Sequence, residues 1–234
     1  MRTNVSKALL DKDSLSKQVL NQIRKDIILG TNRGRKHFVE IELAEKYNAS
    51  RGTIRSALQE LSSEGLVEFL NSGGCYAVEV NEKFIRDTYR FRQLLEIEAA
   101  KLILKKEDVV YTPLTEILDL YVKRSDNASF KSNPVNFCID LDVRFHRAFM
   151  EVADNRPIYR AWCSFMPVIR ALLEINVNSE YFVEFTEKFY VNHKKMLDYA
   201  ILRNELLFDE IKKQTDAGMT MCVTIIRNLQ KKTG

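Results

Sequence analysis

The chain has 234 residues, of which 45% are hydrophobic and 29% are charged, and its formal net charge is +4. This composition can form a buried core in one large domain or two modest ones, and it excludes a chain that is disordered by composition. The net charge is too small to indicate nucleic-acid binding unless basic residues are concentrated locally. The cysteines are scattered and form no C-x-x-C pair, which argues against a zinc knuckle or a disulfide framework.

The N-terminus has no apolar run long enough for a signal peptide, and no segment approaches the length of a membrane span. The sequence therefore predicts a cytoplasmic protein without membrane contact. Residues 1–13 are polar and are predicted to form a loose arm. A first helix follows, because apolar residues recur every four positions before the glycine at position 30: Leu15, Val19, Ile23 and Ile27. The basic loop at 31–37 is equally compatible with a solvated connector and with phosphate contact.

Two short amphipathic helices with a tight break between them are predicted from Ile41 to Gly65. The break falls at Asn48-Ala49, and Ser50 stands where the second helix needs a side chain that accepts from its free amides. One face of the second helix is apolar: Ile54, Ala57, Leu58 and Leu61.

The opposite face of this second helix combines long hydrogen-bond donors with very small residues. Arg51, Arg55 and Gln59 are the donors, and Gly52 and Ser56 lie among them. Small residues allow a nucleic-acid backbone to approach, and arginine is the commonest side chain that reads guanine in the major groove. A helix-turn-helix places its second helix in that groove. The pattern favours DNA binding over the alternative, a solvated polar face on an ordinary helix pair.

Two β-prone runs follow at 66–70 and 75–80, with Asn-Ser-Gly-Gly between them, which predicts a hairpin. A hairpin directly after the second helix is the arrangement of a winged helix. The order E-x-E-L-A, then S-R-G-T-I-R-x-A-L-x-x-L-x-x-E-G-L-V, then a glycine-containing wing resembles the GntR family of bacterial transcription regulators over about residues 14–80. The position of a frequently basic contact in that family is Ile41 here, and the wing tip carries no arginine.

The resemblance implies that the start of the second helix contacts DNA with help from the wing tip. Gln59 is added to this interface from the polar helix face, and Arg35 from the basic loop. The predicted DNA-binding residues are Ser50, Arg51, Gly52, Thr53, Arg55, Gln59, Arg35, Ser72 and Gly73.

After Val80 the strand-like pattern gives way to long helical patterns, which predict helices at about 81–106, 112–126, 134–154, 157–177, 180–203 and 205–230. Pro167 falls inside one of them and is predicted to kink or split that helix. We therefore predict a mainly α protein with two domains. Residues 1–80 form a winged helix-turn-helix with a small β-hairpin wing, and residues 81–234 form an all-α bundle of six or seven helices.

The second half also carries a resemblance. The runs R-x-x-L-E-x-x-A-A, which starts at Arg92, and D-x-x-F-H, from Asp142 to His146, resemble the FCD ligand-binding domain of the FadR subfamily of GntR regulators over residues 82–230. The resemblance implies a domain that binds a small effector and dimerises.

Asp142 and His146 are one helical turn apart and share a face with small and apolar residues, so both are predicted to point into the bundle. His193 lies on another apolar stripe. Burying an unpaired carboxylate is costly, and imidazole together with carboxylate suits zinc, nickel, iron or manganese. The alternative is a buried Asp-His hydrogen-bonded network without a metal.

In FCD domains that bind metal, the resemblance implies one Asp and three His, and the fourth position here is Thr215. Threonine is a poor ligand, so water or an effector would complete a divalent site. Gln214 and Asp216 beside it are expected to point elsewhere. Arg92 is expected either to grip an effector carboxylate or to pair with Glu96. The predicted effector-binding residues are Arg92, Asp142, His146, His193 and Thr215.

The predicted function is sequence-specific binding of a homodimer to a short palindromic operator in double-stranded DNA. A small, carboxylate-bearing metabolite in the helical domain would control the affinity, with repression as the expected sign. The rival prediction is a metal-dependent enzyme that uses Asp142, His146 and His193. The sequence contains no H-E-x-x-H motif and no nucleophile elbow, and an enzyme would leave the winged helix unexplained.

Overall fold

The computed structural model of the chain describes residues 2–30, 36–71, 73–177 and 182–232. The chain divides into two compact units, residues 1–81 and residues 82–234. Each unit has its own buried apolar core. In the described part of the chain no helix is both long enough and apolar enough to cross a membrane.

The first unit contains three helices and a small sheet. Its elements in chain order are α1 (Arg2–Ile28), β1 (His37–Phe38), α2 (Glu40–Lys46), α3 (Arg51–Ser63), β2 (Val67–Phe69) and β3 (Cys75–Ala77). The sheet is antiparallel with the order β1-β3-β2. It confirms the predicted wing and adds β1, a two-residue strand that is too short to show a periodic pattern in the sequence.

Local chemistry fixes both ends of α3. The Ser50 hydroxyl accepts a hydrogen bond from the Thr53 amide at 3.1 Å, which satisfies a backbone donor that the first turn leaves free. At the other end Gly65 adopts a φ of 78°, a conformation that costs glycine little. The Leu66 amide then bonds to the Leu61 carbonyl at 2.9 Å, so the chain turns directly into β2.

A buried ion pair joins α1 to the residue that follows α3. Arg24 donates through Nε and Nη2 to the two carboxylate oxygens of Glu64 at 2.7 and 2.6 Å. Both side chains are almost fully buried, at 6% and 3% exposure. Arg24 also donates to Asn21 on its own helix. Because Arg24 and Glu64 have each other as counter-ions only in this arrangement, the ion pair fixes the register between α1 and the end of α3.

The second unit is a bundle of seven described helices. They are α4 (Glu82–Lys105), α5 (Thr112–Val122), α6 (Ala128–Ser132), α7 (Pro134–Val152), α8 (Arg156–Val177), α9 (Phe182–Ile201) and α10 (Leu206–Lys232). The longest packing interface is that of α4 with α10, and α7 packs against α5, α8 and α9. The core is lined by large side chains such as Trp162, Phe145 and Phe149.

Three sequence predictions need correction. The loose arm predicted at residues 1–13 is wrong, because α1 begins at Arg2 and this segment contains neither proline nor glycine to interrupt a helix. Pro167 does not split α8, which continues through it to Val177. The helix predicted at 112–126 ends at Val122, and a short 3-10 turn and α6 follow before α7. The predicted start of α9 at 180 lies outside the described residues.

We expect Glu64→Gln to destabilise the first unit by about 3–5 kcal/mol, because the change leaves the Arg24 charge buried without its counter-ion. Hydrogen exchange of the α1 and α3 peptides in the full-length chain would measure the loss. Glu60→Gln, on the exposed side of α3, is the control and should stay within about 0.5 kcal/mol of the parent chain. Equal protection in the two variants would contradict the role of the ion pair.

Candidate functional site

The face of α3 that the sequence singled out is open to solvent. Arg51, Gly52, Arg55 and Gln59 are exposed, and Thr53 is partly exposed. The opposite face is fully buried, with Ile54, Leu58 and Leu61 at 0% exposure. The helix is therefore held by its apolar stripe while the long donors and the small residues stand together on the outside.

Arg55 forms an ion pair that the sequence did not predict. Its Nε and Nη2 donate to the two oxygens of Glu40, the first residue of α2, at 2.9 and 3.1 Å. The hydrogen bond from Arg55 lowers the pKa of the Glu40 carboxyl. Arg55 keeps 63% of its side chain exposed, so the pair lies on the surface, where such a contact contributes little stability. Arg55 thus remains at the solvent face with its outer guanidinium edge.

The other predicted DNA-binding residues fall in several places. Ser50 caps α3, and its Oγ lies 2.9 Å from the Thr53 hydroxyl. Gly73 is exposed at the wing tip, whereas Arg35 and Ser72 lie outside the described residues. Ile41 is 52% exposed, so the position that is often basic in the GntR family presents an apolar side chain to solvent.

A second site lies inside the helical unit. Helix α7 supplies Asp142 and His146, and α9 supplies His193, with all three side chains nearly fully buried. The Nε2 atoms of the two histidines are 3.2 Å apart, and His193 Nε2 is 3.3 Å from Asp142 Oδ1. The potential ligand atoms of these three residues lie within 4.8 Å of one another. The fold thus brings together the three residues that the sequence nominated.

The second nitrogen of each histidine contacts the protein scaffold. His193 Nδ1 lies 2.7 Å from the Phe189 carbonyl oxygen, which can only accept, so this nitrogen carries the proton. With Nδ1 bonded in this way, Nε2 of His193 faces the cluster. His146 Nδ1 lies 3.3 Å from Glu96 Oε1. Burial lowers the pKa of His146, which favours its neutral form.

The network is incomplete within the described part of the chain. Glu96 Oε2, Asp142 Oδ2 and His146 Nδ1 are buried there without a hydrogen-bond partner. The contact between His146 Nδ1 and Glu96 is close enough for a hydrogen bond but is not aligned as one. Buried polar atoms are seldom left in this condition. The cluster therefore has unused capacity for a cation or for polar ligand atoms.

Asp142 is held as an anion. Burial alone would raise its pKa, but the contact with His193 and the positive charge of Arg92 outweigh burial and lower it. The same holds for Glu96, whose pKa lies well below its ordinary value because Arg92 and His146 more than compensate for complete burial. Two carboxylates and one guanidinium leave one negative charge unmatched among these groups when both imidazoles are neutral.

A cavity of about 580 Å³ opens onto the cluster between α4, α7, α8, α9 and α10. Its wall includes Asp142, His146 and His193 together with Arg92 and Lys188. Gly218 on α10 lets the helix approach Tyr89, since a Cβ at that position would lie 2.9 Å from the tyrosine ring. The size and the mixture of apolar and polar lining are typical of small-molecule sites.

The fourth position of the cluster is occupied by hydrogen bonds of its own. Thr215 is buried, and its hydroxyl donates to the Ile211 carbonyl at 2.8 Å and accepts from Gln93 at 2.7 Å. Thr215 is not among the residues that line the cavity, whereas Gln214 and Asp216 are. Both border the cavity, but Gln214 donates to the Asn192 carbonyl oxygen and to Glu210, and Asp216 accepts from Gln93, so neither side chain bonds to the cluster.

Glu96 also belongs to this polar cluster, although the sequence indicated it only as a partner of Arg92. It is fully buried, and its Oε1 accepts from Arg92 Nε at 2.8 Å and from Trp162 Nε1 at 3.1 Å. The spacing of Arg92 and Glu96 gave a signal for their pairing. Nothing in the sequence showed that His146 and Trp162, from two other helices, meet the same carboxylate. Asn155, by contrast, caps α8 by accepting from the Ile158 amide.

Comparison with known families agrees with both halves of this description. The profile described as bacterial regulatory proteins of the gntR family matches residues 15–77. The profile of the FCD domain matches residues 87–209, more than half of the chain. The chain belongs to the GntR family of transcription regulators that carry an FCD domain. The FCD domain is consistent with the FadR subfamily.

Similar proteins match this chain over most of their own length. The gluconate operon transcriptional repressor of Bacillus subtilis is 24% identical over 88% of this chain and 87% of its own length. A Listeria monocytogenes protein, Lar, described as controlling expression of the agr system, is 17% identical with a TM-score of 0.66 and covers 88% of this chain and 95% of its own.

A GntR regulator from Rhodococcus sp. RHA1 is 20% identical with a TM-score of 0.60 and covers 90% of this chain and 98% of its own. At this identity the two solved structures support the fold alone. The matched families and the curated repressor are transcription regulators rather than enzymes, so the chain is a DNA-binding regulator and the predicted metal-dependent enzyme is set aside.

We expect the metal-free helical unit to lose stability as the pH falls from 7.5 to 5.5. The pKa of His146 in the folded chain lies below its ordinary value of 6.5. Between pH 7.5 and 5.5 the unfolded chain therefore binds a proton at His146 more readily than the folded chain does. Asp142, whose pKa is also lowered, adds a loss only at much lower pH, below its ordinary value of 3.8.

Hydrogen exchange of the α7 and α9 peptides in the presence of a chelator would measure this dependence. In the His146→Gln variant the dependence between pH 7.5 and 5.5 should flatten. An unchanged slope in that variant would assign the effect to other groups.

Proposed function

We propose that the protein is a cytoplasmic homodimeric repressor whose operator affinity is controlled by a small carboxylate-bearing metabolite, with a divalent metal in the helical unit. The observation that carries this proposal is the convergence of Asp142, His146 and His193 on the wall of the 580 Å³ cavity. A regulator with such a cavity can respond to a ligand whenever the ligand binds one conformation more tightly than another.

The DNA interface in this proposal is the exposed face of α3 with the wing tip. Ser50, Gly52 and Thr53 let the helix start approach the duplex, and Arg51, Arg55 and Gln59 reach toward phosphates and base edges. Arg35, Ser72 and Gly73 are assigned supporting contacts. A two-fold dimer would place two such helices on a short palindrome. The curated relative named as a repressor supports the proposed sign of regulation.

The metal in this proposal is held by the two Nε2 atoms and a carboxylate oxygen of Asp142. The residues fit a divalent cation because the proton positions leave lone pairs facing one another, and because the buried charges sum to a net negative value. Zinc, nickel, iron and manganese all accept imidazole and carboxylate ligands. With Thr215 engaged elsewhere, the protein supplies three ligands, and the cavity side stays available to a carboxylate of the effector.

Arg92 is assigned to the effector as a second anchor. It lines the cavity and bonds to Glu96 through Nε rather than through its terminal NH₂ groups. A guanidinium held in this way has its outer edge available for a carboxylate. Selecting bound fragments from random DNA, followed by a screen of organic acids for release of the selected fragment, would test the regulatory proposal directly.

We expect Arg51→Ala and Arg55→Ala each to weaken binding of the selected operator strongly relative to random DNA while the fold stays intact. A bidentate arginine–guanine contact contributes about 1–3 kcal/mol of discrimination. Band-shift titrations at fixed salt would measure both affinities, and circular dichroism would verify the fold. Arg90→Ala, an exposed arginine of the helical unit, is the matched control. Parental operator affinity in both α3 variants would overturn the proposed interface.

We expect protein purified without chelator to contain a divalent metal and His146→Ala to lose it, because removing one of three ligands weakens such a site substantially. Elemental analysis would measure the content. His37→Ala, which removes the exposed histidine of the winged unit, should retain the parental content. Equal, near-zero content in the parent and in His146→Ala would remove the metal from the proposal.

A further inference from the structure

Side chains from three helices converge on the Glu96 carboxylate. Its Oε1 accepts from Arg92 Nε on α4 at 2.8 Å and from Trp162 Nε1 on α8 at 3.1 Å, and it is 3.3 Å from His146 Nδ1 on α7. The side chain is 0% exposed. A carboxylate that only neutralised Arg92 would not require the indole and the imidazole as further neighbours.

The position of Glu96 has a consequence for the proton on His146. A carboxylate beside Nδ1 favours the tautomer with its proton on that nitrogen, which leaves the Nε2 lone pair facing His193. Glu96 is therefore to His146 what the Phe189 carbonyl is to His193. Both imidazoles would be set for a cation by partners on the side away from it. Among the described residues, His146 Nδ1 lies near Glu96 Oε1 but does not form an aligned hydrogen bond with it.

Glu96 also determines how Arg92 faces the cavity. The Glu96 carboxylate accepts a hydrogen bond from Nε of Arg92, which holds the inner edge of the guanidinium. The rest of the Arg92 side chain is then free to line the cavity. Removing the carboxylate would release the guanidinium from this orientation and leave its charge without this counter-ion beside the cation site. The same residue thus acts on both anchors of the site.

We propose that Glu96 is a positioning residue that orients His146 for the metal and Arg92 for the effector. The indole of Trp162, which donates to the same carboxylate, then reports on changes at this position. The inference rests on the proposed metal site and does not make Glu96 a ligand. Trp162 is the only tryptophan in the chain and is fully buried, so its fluorescence reports on this one place.

The test compares Zn²⁺ titrations of the parent chain, Glu96→Gln and the control Glu98→Gln. Glu98 lies on the same helix but is half-exposed and pairs with Lys101 at the surface. We expect Glu96→Gln to bind Zn²⁺ about 10–100-fold more weakly, the range found when an outer partner of a ligand is removed. Glu98→Gln should bind like the parent. Calorimetry would give the affinities, and Trp162 emission should change with Zn²⁺ in the parent and in Glu98→Gln.

A second measurement separates positioning from a general structural role and does not depend on the variant folding. Because the chain has only three histidines, proton–nitrogen spectra of the Zn²⁺-loaded parent resolve each ring. We expect a protected, downfield Nδ1–H on His146, and in Glu96→Gln a shift of this proton with that of His193 unchanged. A His146 whose metal-facing nitrogen is Nδ1 would overturn the inference even if Glu96→Gln does not fold.

The outcomes distinguish this inference from the proposed function. If the parent binds Zn²⁺ and Glu96→Gln binds it equally well, the positioning role of Glu96 is wrong while the metal site stands. If the parent and Glu98→Gln both fail to bind Zn²⁺, the metal site itself is wrong and the inference falls with it. A weaker Glu96→Gln with an unshifted His146 proton would assign Glu96 a structural role only and would overturn the positioning role.

Discussion

The cost of burying charge is the constraint on which the helical unit depends. Glu96, Asp142 and Arg92 are removed from water, and each ion loses several kcal/mol of hydration that only close partners can offset. Arg92 and Glu96 pair within α4, whereas Trp162 on α8 donates to Glu96 and Asp142 on α7 contacts His193 on α9, so the polar centre links four helices. The apolar core surrounds this polar centre and makes the unit compact. The helices can pack around this centre only in an arrangement that gives each buried ion its partner.

The two units treat buried charge in different ways. In the winged unit Arg24 and Glu64 satisfy each other with paired hydrogen bonds, which makes a closed structural link between α1 and α3. In the helical unit the polar centre borders a cavity, and atoms of Glu96, Asp142 and His146 have no hydrogen-bond partner among the residues that the structure describes. A closed pair suits a rigid scaffold, whereas an open cluster has free energy to gain from a ligand. This difference supports a structural role for the Arg24–Glu64 pair and a ligand-binding role for the cluster beside the cavity.

Much of the fold followed from patterns that act over one or two turns. The apolar stripe of α3, its Ser50 cap and its Gly65 end were all predicted, because capping and amphipathicity depend on neighbouring residues. The strand β1 and the short helix α6 were not predicted, since two- and five-residue elements carry no period and depend on their partners. Pro167 was expected to kink or split α8, and the helix is not split, since it continues through the proline to Val177.

The sequence by itself determined the elements, the GntR and FCD resemblances, and the residue types from which both sites are built. It placed Asp142 and His146 on one helix face and Arg51 and Arg55 on another, because helical geometry is local. Only the tertiary structure decided that His193 meets that pair, that Glu96 joins His146 to Trp162, and that Glu40 holds Arg55. Those contacts join residues 15 to 66 positions apart. The physical reason is that long-range contacts are selected by the packing of whole helices and by the need to pair buried charge, and neither has a signature in a short window of sequence.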